Sequence, residues 1–296
     1  MKNCTVEQGI KDFDFSMIDD LKQDHNPFIL LSGQRHSGKG ILMRELVIHL
    51  DKKFKYERAF AFSLTDHLYD GWEGGLPFMD NKDIFDTLDP LHQIIEIRKQ
   101  TIATGQIPSE HPESRKDLRE SENKTPKKKK KIGNILLIFN DIYGMTETID
   151  GKKRLVKNAS SIETLATLAR HYKITCIVAV QRAKSMVSKL MRSNSDLTFI
   201  WSPKSVDELD MIRSEYLGLC KSKQLREMVF NDIFTIPHAC MVVMGYKTGV
   251  TKIEEYVFKY VAPYPPKKYK LLYTKKKKKI LRAKKKIKNE PQDFNY

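Results

Sequence analysis

Long apolar runs are missing from this 296-residue chain. No stretch approaches the roughly 20 consecutive apolar residues that cross a bilayer. The opening segment, MKNCTVEQGIKDFDF, holds no apolar core of a secretory leader. Cysteine is scarce too. Cys4, Cys176, Cys220 and Cys240 stand far apart with no paired spacing, which argues against a zinc site and gives no reason to expect a disulfide framework. No internal repeat is visible. These absences lead us to expect a soluble, intracellular protein without a membrane partner, in a reducing compartment.

Acidic charge is sparse only in places. The chain carries 53 Lys and Arg against 37 Asp and Glu, a net +16. Lys127 to Lys131 supplies five of the cations, and the stretch from Lys267 to Lys288 supplies thirteen with no acid among them. Without those two tracts 35 basic residues face 37 acidic ones. The globular part is therefore near neutral, and the 40% apolar content of the whole chain suffices for one large α/β domain or two small ones.

Short apolar runs rich in β-branched and aromatic residues occur at 28–31, 59–64, 135–139, 174–180, 197–201 and 240–244. Amphipathic, helix-like patterns at 40–50, 90–104, 160–172, 187–191 and 205–217 separate most of them. Buried strands alternating with such helices predict a mostly parallel sheet covered on both faces, a doubly wound α/β domain. Between the second and third runs lies an insertion, 66–131, whose later part is polar and proline-containing. Such a composition predicts a mobile surface excursion. After Tyr246, KTGV predicts a hairpin turn at Gly249 leading into EEYVFKYV. PYPPKK then ends the packed unit. The expected organisation is one domain over 1–262 and a basic, flexible tail over 263–296.

The segment LLSGQRHSGKGILMREL joins the first strand to the first helix. A phosphate cradle needs a strand that ends abruptly, glycines that let amides converge, a lysine for the terminal phosphates and a helix N-terminus facing the anion. Gly33, Gln34, Arg35, His36, Ser37, Gly38, Lys39, Gly40 and Ile41 meet that description and are the candidate nucleotide contacts. One position departs from the usual pattern: Gly40 stands where Ser or Thr normally holds Mg2+. Ser37 inside the loop and Ser32 before it are the nearby hydroxyls able to compensate.

A phosphate loop also needs an acid at the end of a neighbouring buried strand. NILLIFNDIYG ends in Asn140 and Asp141. Two assignments stay open: Asn140 replaces a metal-side acid and Asp141 is the base, or Asp141 serves the metal and another residue positions water. The next run, KITCIVAVQR, ends in Gln181 and Arg182, and a polar residue there is placed to sense the terminal phosphate.

With FILLSGQRHSGKGILMREL, ILLIFNDIYG and ITCIVAVQRAKSMVSKLMRSNSDLTFIW in this order, the chain resembles the poxvirus-type genome-packaging ATPases of large DNA viruses, virophages and related elements, within the FtsK/HerA superfamily. The resemblance covers most of residues 25–262. It implies a RecA-like P-loop NTPase fold and a ring-forming homo-oligomer that hydrolyses ATP with Mg2+. It also implies that the ring drives double-stranded DNA into a preformed capsid. Capsid or portal-like vertex proteins would then be partners, and the infected cell's cytoplasm or viral factory, or the virion, the location. By matching position Lys39 would bind the β- and γ-phosphates, Asp141 would be the catalytic or metal-side carboxylate and Gln181 the sensor. Arg192 would be a finger reaching a neighbouring subunit's ATP, with Arg182 in reserve. Gly40 and Asn140 depart from the pattern where magnesium ligands are expected. That departure leaves a catalytically impaired DNA-binding or scaffolding protein as the alternative. A nucleotide kinase ranks below both, because the insertion is poor in the arginines of a phosphate-binding lid.

The tail sequence KKYKLLYTKKKKKILRAKKKIKNE mixes dense lysine with tyrosine. Lysine tracts bind phosphate backbones without reading sequence, and DNA contact is the expected role. A nuclear-import signal and a tether to an acidic partner are the rival readings.

Overall fold

The structure, a computed structural model, describes residues 9–22, 25–64, 84–104, 132–149, 151–156, 160–220 and 222–263. Its strands are β1 (Phe28–Ser32), β2 (Tyr56–Ser63), β3 (Ile84–Phe85), β4 (Asn134–Asn140), β5 (Thr146–Ile149), β6 (Lys152–Leu155), β7 (Ile174–Val180), β8 (Leu197–Trp201), β9 (Ala239–Met244) and β10 (Val257–Val261). Its helices are α1 (Lys39–Phe54), α2 (Asp89–Thr104), α3 (Ser160–Leu168), α4 (Ala183–Met186), α5 (Lys189–Ser193), α6 (Val206–Glu215) and α7 (Lys223–Phe234).

Eight strands form one sheet in the order β10-β9-β8-β1-β7-β4-β2-β3. Pairing is parallel from β8 to β3, and β9 and β10 add an antiparallel edge. Every residue of β1, β7, β8 and β9 is buried, which is why these strands read as unbroken apolar runs. Alternation sorts their side chains. Ile29 and Leu31 of β1, Leu136 and Ile138 of β4 and Ile177 and Ala179 of β7 pack with Leu42, Met43, Leu46 and Leu50 of α1. Phe28 and Leu30, Leu137 and Phe139, and Cys176 and Val178 face the other way, onto Leu91 and Ile95 of α2 and Leu165 of α3. The antiparallel end is closed by α6 and α7, whose Ile212, Val229 and Ile233 pack on Met241 and Val243. The mostly parallel sheet with helices on both faces is the α/β architecture expected. Cys176, Cys220 and Cys240 are buried, and no disulfide forms among the described residues. No helix among the described residues is long and apolar enough to cross a membrane.

Four local expectations need correction. The helix expected over 187–191 lies at 189–193 instead (α5), behind a separate short α4, because Val187 and Ser188 are extended and the Ser188 hydroxyl caps Met191 N–H. The hairpin expected at Gly249 is present, since β9 and β10 are antiparallel neighbours and Gly249 has φ 74°, but the second strand begins later than expected, at Val257, after a 3-10 turn at Ile253–Glu255. α7 and the β5–β6 hairpin were not expected at all. Finally, β4 is not the neighbour of β1, since β7 lies between them. The later part of the insertion, the Lys127 to Lys131 tract and the basic tail lie outside the described residues.

Candidate nucleotide site

β1 stops at Ser32 and the chain turns at once. Gly33 N–H donates to Val180 O at 3.1 Å, so the loop is rooted on β7. A Cβ at Gly33 would sit 2.9 Å from both the Trp201 side chain and Ser37 Oγ, and no real Cβ tolerates that approach. Gly38 has φ 107°, and a Cβ there would meet Ala262 Cβ at 2.8 Å. Both glycines are demanded by the fold of the loop. Gly40 is not: a Cβ there meets nothing within 4 Å. Gly38 is the N-cap of α1 without a side-chain cap, which leaves the amides of the first turn without a side-chain acceptor. Inside the loop, Ser37 Oγ is buried without a hydrogen-bond partner.

Lys39 folds back over this loop. Its Nζ donates to Gly33 O and, at 3.2 Å, to Gln34 O. Burial lowers its pKa, the Asp141 carboxylate works against that shift, and Arg35 adds to it. Lys39 and Asp141 are thus close enough to feel one another's charge, although 102 positions separate them in the chain.

Asp141 follows directly on β4. Its N–H donates to Ala179 O at 3.0 Å and its φ is 46°, a left-handed conformation that non-glycine residues seldom hold. Asn140, the last residue of β4, alternates in step with Leu136 and Ile138 and so lies on the α1 side of the sheet. Its Nδ2 donates to Ser63 Oγ on β2 at 3.4 Å, and its carbonyl oxygen remains an acceptor. Gln181 continues the Ile177, Ala179 row of β7 and lines one small cavity together with Ser32, Gly33, Gln34 and Arg182. Two consecutive carbonyls of β7, Ala179 O and Val180 O, therefore hold the two halves of the site: one takes the amide of Asp141, the other that of Gly33. Gln181 emerges between them.

Arg192 does not fit the role of an outward-reaching finger. It is buried, its Nε and Nη2 form a two-pronged pair with Glu215 at 2.7 and 2.9 Å, and its Nη1 donates to Ala183 O at 3.2 Å and to Val187 O. All three of its side-chain nitrogens bond inside the subunit, tying α5 to Glu215 of α6 and to Ala183 and Val187 at the two ends of α4. Arg182 is exposed and borders the Gln181 cavity. Two residues that sequence reasoning missed shape the loop: Trp201 at the end of β8, whose Nε1 donates to His238 O at 3.3 Å, and Ala262 just beyond β10. Both come from strands remote in sequence, and no local pattern points to them.

No protein-family model matches the sequence, and no curated protein matches it. Solved structures do. The conjugation coupling protein TcpA of pCW3, in its monomer form with ATPgS, is 14% identical with a TM-score of 0.51 over 89% of this chain and 66% of that one. EssC (ATPases 2 and 3) from Geobacillus thermodenitrificans is 14% identical with a TM-score of 0.50 over 90% of this chain and 46% of that one. The genome packaging NTPase B204 from Sulfolobus turreted icosahedral virus 2, in complex with ATP-gammaS, is 14% identical with a TM-score of 0.43 over 76% and 94%. The chain therefore has a P-loop NTPase fold, the architecture it shares with TcpA and EssC.

Proposed function

We propose that this protein is an ATP-hydrolysing motor that moves double-stranded DNA into a viral capsid, working as a homo-oligomeric ring. The observation that carries the reading is the convergence on β7: the glycine-bounded loop with Lys39, the Asp141 carboxylate and Gln181 come from three separate segments and meet at the carboxyl edge of adjacent parallel strands. That edge is where α/β folds bind nucleotides. The step from a nucleotide site to DNA packaging rests on the motif order of the sequence and on the basic tail.

The residues fit ATP. Gly33 and Gly38 let the loop close tightly where a Cβ would collide with Ser37, Trp201 or Ala262, the first amides of α1 lack a side-chain acceptor, and Ser37 Oγ is a buried polar atom without a partner. Lys39 is already desolvated, so a phosphate would offset with opposite charge the hydration that burial has removed from its ammonium. Mg2+, which offsets phosphate charge when bound, commonly takes one carboxylate and keeps several waters, so Asp141 with the neutral oxygen of Asn140 is an adequate if weak donor set. Gln181 is placed to hydrogen-bond a terminal phosphate or an attacking water. Arg182 takes over from Arg192 as the guanidinium that reaches a neighbouring subunit.

The test is magnesium-dependent ATP hydrolysis with and without duplex DNA. Lys39→Ala should abolish turnover, and ordinary turnover by that variant would overturn the site. Removing residues 267–296 should weaken DNA binding and flatten its salt dependence while leaving DNA-independent turnover intact. Gly40 and Asn140 favour one second reading, a nucleotide-binding scaffold that hydrolyses ATP slowly or not at all. ATP binding without turnover would select it.

A further inference from the structure

The β5–β6 hairpin follows the Asp141 turn and has no part in the site. Its root is fixed: Met145 and Val156 are buried in the α2–α3 core, and Val156 N–H donates to Met145 O at 3.0 Å. β5 is strapped to the start of α2. Thr148 donates to both carboxylate oxygens of Asp89, through N–H at 2.6 Å and Oγ1 at 3.1 Å, and the buried Glu147 bonds His92 at 3.0 Å. β6 pairs only with β5, and all four of its residues are exposed: Lys152, Lys153, Arg154 and Leu155.

The charges are therefore sorted. Carboxylates on and beside the described part of the hairpin are engaged at its inner strand, whereas none of the three cations has an ion-pair partner among the described residues. Asp150, at the turn, lies outside those residues. Guarding an exposed strand edge against unwanted pairing takes a lysine or two. A run of three places charge on both faces of the strand, because successive side chains alternate. A rigid arm with unpaired cations on both faces has the chemistry to lie against a phosphate backbone.

We propose that the β5–β6 hairpin is a contact for the backbone of duplex DNA, with Lys152, Lys153 and Arg154 neutralising phosphates. The proposal rests on the reading of the chain as a DNA motor. It places DNA one short turn from the carboxylate of the nucleotide site: Ile142 and Met145, both buried, span the distance between Asp141 and β5. A load on the hairpin is thereby transmitted to Asp141 through packed residues.

The experiment uses the full chain and a random-sequence duplex. Three proteins are compared: wild type, the triple variant Lys152→Gln, Lys153→Gln, Arg154→Gln, and the charge-keeping variant Lys152→Arg, Lys153→Arg, Arg154→Lys. Each neutralised phosphate contact contributes about 0.9 to the slope of log affinity against log salt, so the triple Gln variant should lose about 2.7 from that slope. Between 50 and 200 mM salt this is a difference of roughly 40-fold in how far affinity falls. Its DNA-stimulated ATP hydrolysis should fall to the basal rate, with the basal rate unchanged, and the charge-keeping variant should restore both. Wild-type slope and stimulation in the triple Gln variant would overturn the proposal while leaving the motor reading standing. So would polyglutamate competing as well as duplex, which would assign the hairpin to an acidic protein partner. If the triple Gln variant also loses basal turnover, the single variants decide, each expected to lose about 0.9 from the slope. A wild-type protein that binds duplex through the hairpin but never hydrolyses ATP keeps this contact and removes the motor.

Discussion

Gly40 provides the sharpest test of the site, because it is the one glycine of the loop that the fold does not require. It is exposed, it lies in the first turn of α1, and a Cβ there meets nothing within 4 Å. Replacing a helical glycine by alanine gains about 1 kcal/mol, and by serine about half as much. For a domain of this size that is about 2–4 °C in melting temperature for Gly40→Ala and about 1–2 °C for Gly40→Ser. The two variants part company in metal dependence. Serine restores a hydroxyl where phosphate loops ordinarily ligate magnesium, and an added ligand should lower the Mg2+ concentration for half-maximal ATP hydrolysis by roughly tenfold, about 1.4 kcal/mol. Alanine cannot. The assay is a Mg2+ titration of turnover at fixed ATP for wild type and both variants, with thermal melts of the nucleotide-free proteins alongside. If Gly40→Ser moves the Mg2+ midpoint no further than Gly40→Ala, the first turn of α1 does not face the metal and the assignment of the loop fails.

Other expectations follow from the same geometry. Burial holds the Lys39 pKa below its usual value, so in the alkaline window between that lowered value and 10.5 the unfolded chain binds more protons than the folded one. Stability of the nucleotide-free protein should then rise with pH through that window. ATP binding there should take up a proton, seen as a buffer-dependent heat in calorimetry, and binding heats independent of buffer would refute it. Arg192→Ala should destabilise the fold by about 2–4 kcal/mol in urea titration, because it strands Glu215 and removes the bonds that tie α5 to α6. Unchanged stability with lost turnover, rescued by mixing with Lys39→Ala subunits, would return Arg192 to the finger role. Asp141→Asn should keep wild-type stability and ATP binding yet lose at least about 100-fold in turnover, since asparagine tolerates the left-handed conformation and removes only the charge. Asp141→Ala should lose the same activity and, in addition, about 1–2 kcal/mol of stability.

The central strands were legible because a parallel strand buried on both faces has to be apolar at every position, and β7 and β8 span the same residues the pattern picked out. The phosphate loop was legible because its glycines, its lysine and the following helix are contiguous. α7 carried a visible pattern that went unread: Ser222 caps it, and Leu225, Val229, Phe230 and Ile233 form its buried stripe. The Asp-Gly turn between β5 and β6 was likewise a readable hairpin mark. Sheet order was not legible, since β7 is placed between β1 and β4 by pairing with β1 across more than 140 residues and with β4 across about 40, and no local pattern encodes either contact. Trp201 and Ala262 could not be read as walls of the loop for the same reason, and the Arg192–Glu215 pair, 23 residues apart, joins two different helices that no single periodic pattern spans.

That order of strands also explains why so few residues of the site have to be unusual. Were β1 and β4 neighbours, the loop and the carboxylate would compete for the same stretch of sheet edge. With β7 between them the two are held about two strand spacings apart, on the order of 10 Å, and Gln181 rises in the gap. The separation is set by backbone bonds to Ala179 O and Val180 O, which side-chain substitution leaves in place. A chain can therefore change the chemistry at positions such as Gly40 and Asn140 without moving the frame. Asp141 is the exception. Its N–H must return to Ala179 O while the chain leaves the sheet toward the hairpin, and the left-handed turn that reconciles the two is local strain at the residue where carboxylate and hairpin meet. A displacement of the hairpin and a change at the Asp141 carboxylate thus act on the same backbone turn from opposite sides.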